Sequence, residues 1–328
     1  MRKLLLKISI ILALLAISDV AAGIVLDWLR DHSPDGRYQK TKYSLEACKE
    51  DIVVIGSSRG EINYVSQLIE DSLGMSCWNA SRGGQGTPYF RAIQEGILAR
   101  YAPKFVILNI DDNDLETPPN YDHAGVLRPF YKSCPPIRPV LDKTSTFEWL
   151  LLQSRLYAYN SSFYYLLRPY FIQGLDGKVT DKGWKPRLDR MQADMTKELE
   201  PEPPKVKLNP DAVALFDLLV QKFRARDTRL FLVVSPNYGR SVAASSTIEY
   251  LKRTSAEYDI PLFVYSDDTA FITRPDFFVD PDHLNVEGAQ VFTKHLVQQI
   301  KPYVIATNQL STDDEKIPKI YSKEMGND

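Results

Sequence analysis

Asp280-Pro281-Asp282-His283 places a carboxylate three residues before one of only four histidines in the chain. That spacing lets a carboxylate orient an imidazole, which can then take a proton from a hydroxyl. A suitable hydroxyl stands far upstream in Gly56-Ser57-Ser58-Arg59, after an apolar run and before a helical pattern. A serine at that point enters a helix N-terminus, where free N–H groups favour negative charge. The same place also suits a plain helix cap. Two further segments offer donors for a developing oxyanion. Asn79-Ala80-Ser81-Arg82-Gly83-Gly84-Gln85-Gly86 clusters glycines whose backbone can approach a substrate closely. Asp111-Asp112-Asn113-Asp114 offers an amide, and its three acids also suit a hard cation. Arg59 and Arg82 flank these groups and are candidates for holding an anionic or sugar group. His32, His123 and His295 have no partnered motif.

These motifs fall where strands end. Asp51–Gly56, Met75–Asn79, Lys104–Ile110, Arg229–Ser235 and Pro261–Tyr265 are short apolar runs that suit buried parallel strands. Helical spacing lies between them, at Gly60–Leu73, Pro88–Tyr101, Pro210–Arg226, Ser245–Tyr258 and Val286–Tyr303. Strands alternating with helices predict βαβ units, hence an α/β fold with a parallel sheet covered on both faces. Ligands bind beyond the carboxyl ends of such strands. The alternation lapses over residues 115–205, which read as an insertion over that edge. The insertion is rich in proline and aromatics, with one expected helix over Phe147–Phe171 and a loop at Glu198–Pro204. Its aromatics, among them Tyr157, Tyr164, Tyr165 and Tyr170, suit either core packing or stacking on sugar rings.

Taken in chain order, Gly56-Ser57-Ser58, Asn79 to Gly84, Asp112-Asn113-Asp114 and Asp280 to His283 resemble the four blocks of the SGNH/GDSL hydrolase family. The resemblance covers about residues 51–114 and 209–304. It implies a three-layer α/β/α sandwich with a five-stranded, mainly parallel, flavodoxin-like sheet. It also implies Ser58 as nucleophile, His283 as general base and Asp280 as its orienter. The oxyanion hole would comprise the N–H groups of Ser58 and Gly84 and the side-chain amide of Asn113. No metal and no organic cofactor is implied. Two positions depart from the family pattern. Ser57 replaces an aspartate, so the choice of Ser58 over Ser57 rests on alignment, and Asp111 replaces a glycine. The Gly-Ser-Ser form with an N-terminal anchor is similar to membrane-tethered relatives that modify cell-envelope polymers by acylation. The expected activity is therefore an esterase acting on O-acylated carbohydrate or envelope polymer. An O-acyltransferase or its accessory, a non-catalytic envelope binding protein and an acid-loop metal hydrolase are the other readings.

The N-terminus supports an exported domain. Arg2, Lys3 and Lys7 lead an apolar run from Ile8 to Leu26, interrupted by Ser18, Asp19 and Gly23. Basic residues before an apolar run favour an N-terminus left inside. An uncleaved anchor would use the whole run, although Asp19 is costly in a bilayer. A cleaved signal would use Ile8–Ile17 and the small residues Val20-Ala21-Ala22. Residues 27–50 read as a linker, 51–305 as the domain and 306–328 as a polar tail. The 328 residues carry a net charge of −2, which gives no basic surplus for nucleic acid. Cys48, Cys77 and Cys134 lack zinc spacing, and leave open a Cys48–Cys134 bridge or none.

Overall fold

The computed structural model describes residues 1–33, 36–160, 162–172, 181–192, 205–239 and 245–316. The loop expected at Glu198–Pro204 and the last twelve residues of the expected tail lie outside them. Five parallel strands form the central sheet: β1 (Ile52–Ile55), β2 (Cys77–Asn79), β3 (Phe105–Asn109), β4 (Arg229–Val234) and β5 (Leu262–Val264), in the order β2-β1-β3-β4-β5. Each falls inside an apolar run predicted as a strand. β1 and β3 are buried along their whole length, as strands covered on both faces must be.

Alternate side chains feed two cores. Val53, Ile55, Val106, Leu108, Leu232 and Val234 join one, while Ile52, Val54, Phe105, Ile107, Phe231 and Val233 join the other. The first core is closed by α2 (Gly36–Glu46), α5 (Thr87–Leu98), α9 (Pro210–Arg224) and α10 (Ser246–Tyr258). The second is closed by α4 (Ser66–Leu73), α11 (Thr269–Ile272) and α12 (Val286–Lys316). Helices thus cover both faces of the sheet. Asn209 caps α9 by accepting from Asp211 N and Ala212 N, and Ser245 caps α10 by accepting from Ile248 N.

Three expectations need correction. Residues 27–50 are not a linker. α1 runs from Arg2 to Asp31, and α2 buries Tyr38 and Leu45 in the first core. α2 hid from hydropathy because its buried face is partly polar. Ser44 accepts from Trp78 Nε1 at 2.8 Å, and Lys40 donates to Glu61 at 3.0 Å. The helix expected over Phe147–Phe171 is broken into α7 (Glu148–Leu151), a single 3₁₀ turn at Tyr157–Tyr159 and α8 (Phe163–Phe171), with α6 (Arg138–Leu141) before them. Between α7 and the 3₁₀ turn, the Arg155 and Leu156 N–H groups turn away to bind Asp19. The third correction concerns the tail from residue 306, whose first part continues α12 as far as Lys316.

The described residues of 122–171 pack against two helices. They build a platform against α5 and α1, and Tyr159 and Tyr170 donate to Asp27 and to the Leu29 carbonyl of α1. Among the described residues of the insertion, 181–192 are those that run back beside the serine turn. There Lys185 N donates to Glu61 O at 3.0 Å, and Val286 N donates to Arg187 O at 2.9 Å.

A two-stranded antiparallel hairpin, β6 (Phe278–Asp280) and β7 (His283–Leu284), was too short to show in the sequence pattern. It rests on the start of α12. A Cβ at Gly288 would stand 2.3 Å from the Phe277 carbonyl oxygen, so only glycine fits there. Gly→Ala inside a helix ordinarily stabilises by up to about 1 kcal/mol. Here Gly288→Ala is expected to destabilise instead, by about 1–3 kcal/mol. Urea unfolding would read the sign directly.

Candidate active site

Ser58 opens α3 (Ser58–Asn63) immediately beyond the carboxyl end of β1. The hairpin β6–β7 faces it. Asp280 and His283 are direct cross-strand partners, with Pro281 and Asp282 making the turn. A spacing of three residues therefore brings the two side chains to one side of the hairpin. His283 Nδ1 lies 2.7 Å from Asp280 Oδ1, and His283 Nε2 lies 2.7 Å from Ser58 Oγ. All three side chains are partly exposed, so the site opens to solvent. Burial pushes the Asp280 carboxyl up. The hydrogen bond and charge of His283 and the backbone N–H of Asp282 outweigh it, holding Asp280 below its ordinary value. An ionised Asp280 needs the proton on Nδ1. That leaves Nε2 free to accept from the Ser58 hydroxyl.

Ser57 does not compete for the histidine. Its hydroxyl donates to Asp111 Oδ2 at 2.5 Å. The two departures from the family pattern thus meet in space, with a hydroxyl on the serine turn and a carboxylate on the turn after β3. Asn109 Nδ2 donates to the other oxygen of Asp111 at 3.0 Å, and Tyr64 donates to Asn109 Oδ1 at 2.7 Å. This chain of bonds locks the ends of β1 and β3 together.

Arg59, a candidate for holding an anionic or sugar group, faces carboxylates of its own chain. It is buried, and it lies 3.7 Å from Asp111, 3.4 Å from Asp112 and 2.5 Å from Asp282. Burial alone would lower its pKa, but the three carboxylates raise it above the ordinary arginine value. The acidic turn therefore receives its cation from within the chain. Among the described residues, no group of three or more His, Cys, Asp or Glu is arranged to hold a metal ion. Arg82 is also buried and donates to Thr41 at 2.7 Å, which ties the glycine loop to α2. The partners of both arginines lie far away in sequence, so spacing alone does not show them.

The glycine loop reaches the serine. A Cβ at Gly83 would stand 3.5 Å from Ser58 Cβ. Gly83 N–H is already committed to Glu61 at 2.9 Å, whereas the exposed Gly84 beside it has a positive φ of 73°. Asn113 is exposed in the turn after β3, next to Asp112. The positioning groups missed in the sequence are Asp282, Glu61 and Asn63. Asn63 accepts from Leu284 N at 3.1 Å and so bolts the hairpin to α3. Asp282 had a readable signal, since it is the second acid of the histidine motif. Of the remaining histidines, His295 lies against the Phe271 ring and His123 is exposed.

Asp114 is a half-buried carboxyl beside Asp111, whose N–H it accepts at 2.8 Å. Burial and the neighbouring charge of Asp111 hold its pKa well above the ordinary value. A raised folded pKa means that the folded state binds the proton more tightly. Stability is then full below about pH 4, the unfolded pKa, and falls as pH rises through the folded value. Asp114→Asn keeps an acceptor oxygen and removes the titration. The variant is expected to gain stability over the parent as pH increases, read as a flatter profile of melting temperature against pH.

No protein-family model matches the chain, and no curated protein matches it significantly.

Proposed function

We propose that the chain is an SGNH/GDSL-type serine hydrolase with the flavodoxin-like fold of that family. Its substrates are O-acylated carbohydrates or cell-envelope polymers, outside the cytoplasm. The observation that carries this reading is the unbroken pair of 2.7 Å contacts from Asp280 through His283 to Ser58. Support also comes from the strand order 2-1-3-4-5, which puts the serine at the switch point between β1 and β3 where such sheets bind ligands. In this reading Ser58 Oγ attacks the acyl carbon while His283 Nε2 takes its proton. The Ser58 and Gly84 N–H groups and the Asn113 amide receive the oxyanion. His283 returns the proton to the departing sugar hydroxyl. Water then attacks the acyl-enzyme with His283 again as base, releasing the carboxylic acid and free Ser58.

A single experiment tests the assignment of the nucleophile. The full-length protein in detergent is treated with an alkyl fluorophosphonate, and the modified peptide is sequenced by mass spectrometry. Labelling of Ser58 that vanishes in His283→Ala is the expected result. Labelling of Ser57, or no labelling at all, rejects the mechanism.

A further inference from the structure

The first half of α1 stands clear of the protein, and the second half is clasped to it. Leu4, Leu5, Leu6, Ile8, Ile10, Ile11, Leu12, Leu14, Leu15 and Ile17 are all exposed, and the apolar window of α1 has a mean hydropathy of 2.4. At Asp19 the surroundings change. Its carboxylate accepts from Ser154 Oγ at 2.5 Å, Arg155 N at 2.9 Å and Leu156 N at 3.1 Å. One turn on, Gly23 meets Arg155 so closely that a Cβ there would stand 2.2 Å from Arg155 Cβ. Asp27 then bonds Arg155 at 3.0 Å and Tyr159 at 2.5 Å. The charge that looked costly for an anchor is therefore matched by the platform.

Beside this clasp the platform exposes apolar side chains that its own core does not need. Phe147, Trp149, Leu150, Leu151 and Leu156 are between 41 and 63% exposed. All lie within seven residues of Ser154, the side chain that holds Asp19. Such crowding of large apolar groups marks a contact surface, not ordinary solvent exposure. Its occupant follows from continuity with α1. The helix from Arg2 to Ser18 rises about 25 Å at 1.5 Å per residue, close to the ~30 Å thickness of a bilayer's hydrocarbon layer. The clasp then lies at the outer boundary of that layer, where tryptophan and other amphipathic rings concentrate.

We infer that Phe147–Leu156 is a lipid-embedded foot that seats the domain on the outer leaflet beside its own anchor. This rests on reading α1 as a retained membrane span, so the test separates the two. The full-length protein carrying Leu150→Cys is spin-labelled and reconstituted into phosphatidylcholine vesicles. The three native cysteines are buried and remain unlabelled. The expected result is retention after alkaline carbonate washing, with oxygen collisions at position 150 exceeding those of a water-soluble nickel complex several-fold. Release by carbonate overturns the span and the foot together. Retention with nickel collisions dominant overturns the foot alone. Shielding from both reagents, with dipolar broadening between labels, overturns it in favour of a second copy seated on this face. In a triple variant W149S/L150S/L151S that is still retained, the label moved to Leu156→Cys is expected to shift toward nickel access.

Discussion

Ser58→Ala is expected to lower kcat for hydrolysis of a p-nitrophenyl acetate series by roughly 10⁴- to 10⁶-fold, and His283→Ala by a similar factor. The reason lies in how the three groups depend on one another. His283 Nε2 has Ser58 Oγ as its hydrogen-bond partner, and its Nδ1 has Asp280. Loss of either end leaves the other without its proton route. The double variant should be little worse than either single one, which separates a cooperating unit from two independent contributors. Asp280→Asn tests the third member differently. An amide oxygen can still accept from Nδ1, but an amide nitrogen turned toward the ring forces the wrong tautomer. A loss of about 10⁴-fold with little change in KM is expected. Ser57→Ala is the control, because that hydroxyl faces Asp111. Activity that survives Ser58→Ala but not Ser57→Ala would overturn the assignment. Acyl groups appearing on an added sugar instead of in water would leave the triad intact and make the protein a transferase.

Arg59→Met is expected to cost about 3–5 kcal/mol of folding stability, because it removes one partner from a buried set of charges. Asp111 and Asp112, both little exposed, would lose the Arg59 guanidinium, while Asp282 would lose its tie to the serine helix. Chemical denaturation with a shared baseline reads the loss. Arg59→Lys is not an adequate rescue, since one ammonium cannot reach three carboxylates that a planar guanidinium spans. Asp282→Asn separates stability from positioning. It leaves the buried carboxylates matched and loosens only the hairpin. It should therefore reduce turnover more than it reduces the unfolding midpoint. An Arg59→Met protein as stable as the parent would show that the cluster is better solvated than its burial implies.

The sheet was legible because its strands are buried on both faces and so read as unbroken apolar runs. Phe105–Asn109 and Arg229–Val234 fall inside the predicted spans. The caps at Asn209 and Ser245 were legible for a chemical reason, since their side chains satisfy free helical N–H groups. α2 was not legible. Its buried positions include Lys40, Thr41 and Ser44, whose burial depends on partners distant in sequence. The break between α7 and α8 was hidden for the same reason, because what draws Ser154 out of a helix is Asp19, 135 positions earlier. At the candidate site, the order of motifs suggested Ser58, Asp280 and His283. The environment of the arginines could not be foreseen. Whether a guanidinium faces a ligand or three carboxylates is settled by tertiary structure, and sequence spacing carries little of that information.

The clasp on α1 has a further consequence through α2. That helix begins five residues after α1 ends, and Gln39 closes the end of α1 by donating to the Arg30 and Asp31 carbonyls. Lys40 then reaches Glu61, which in turn holds the Gly83 N–H beside Ser58. Among the described residues, the route from α1 to the serine is a series of short hydrogen bonds. With α1 in a bilayer, these contacts would set the working height of the site above the lipid. Under the proposed function, such a protein would act as a gauge, treating the layer of polymer that passes at its own altitude and leaving more distant chains untouched.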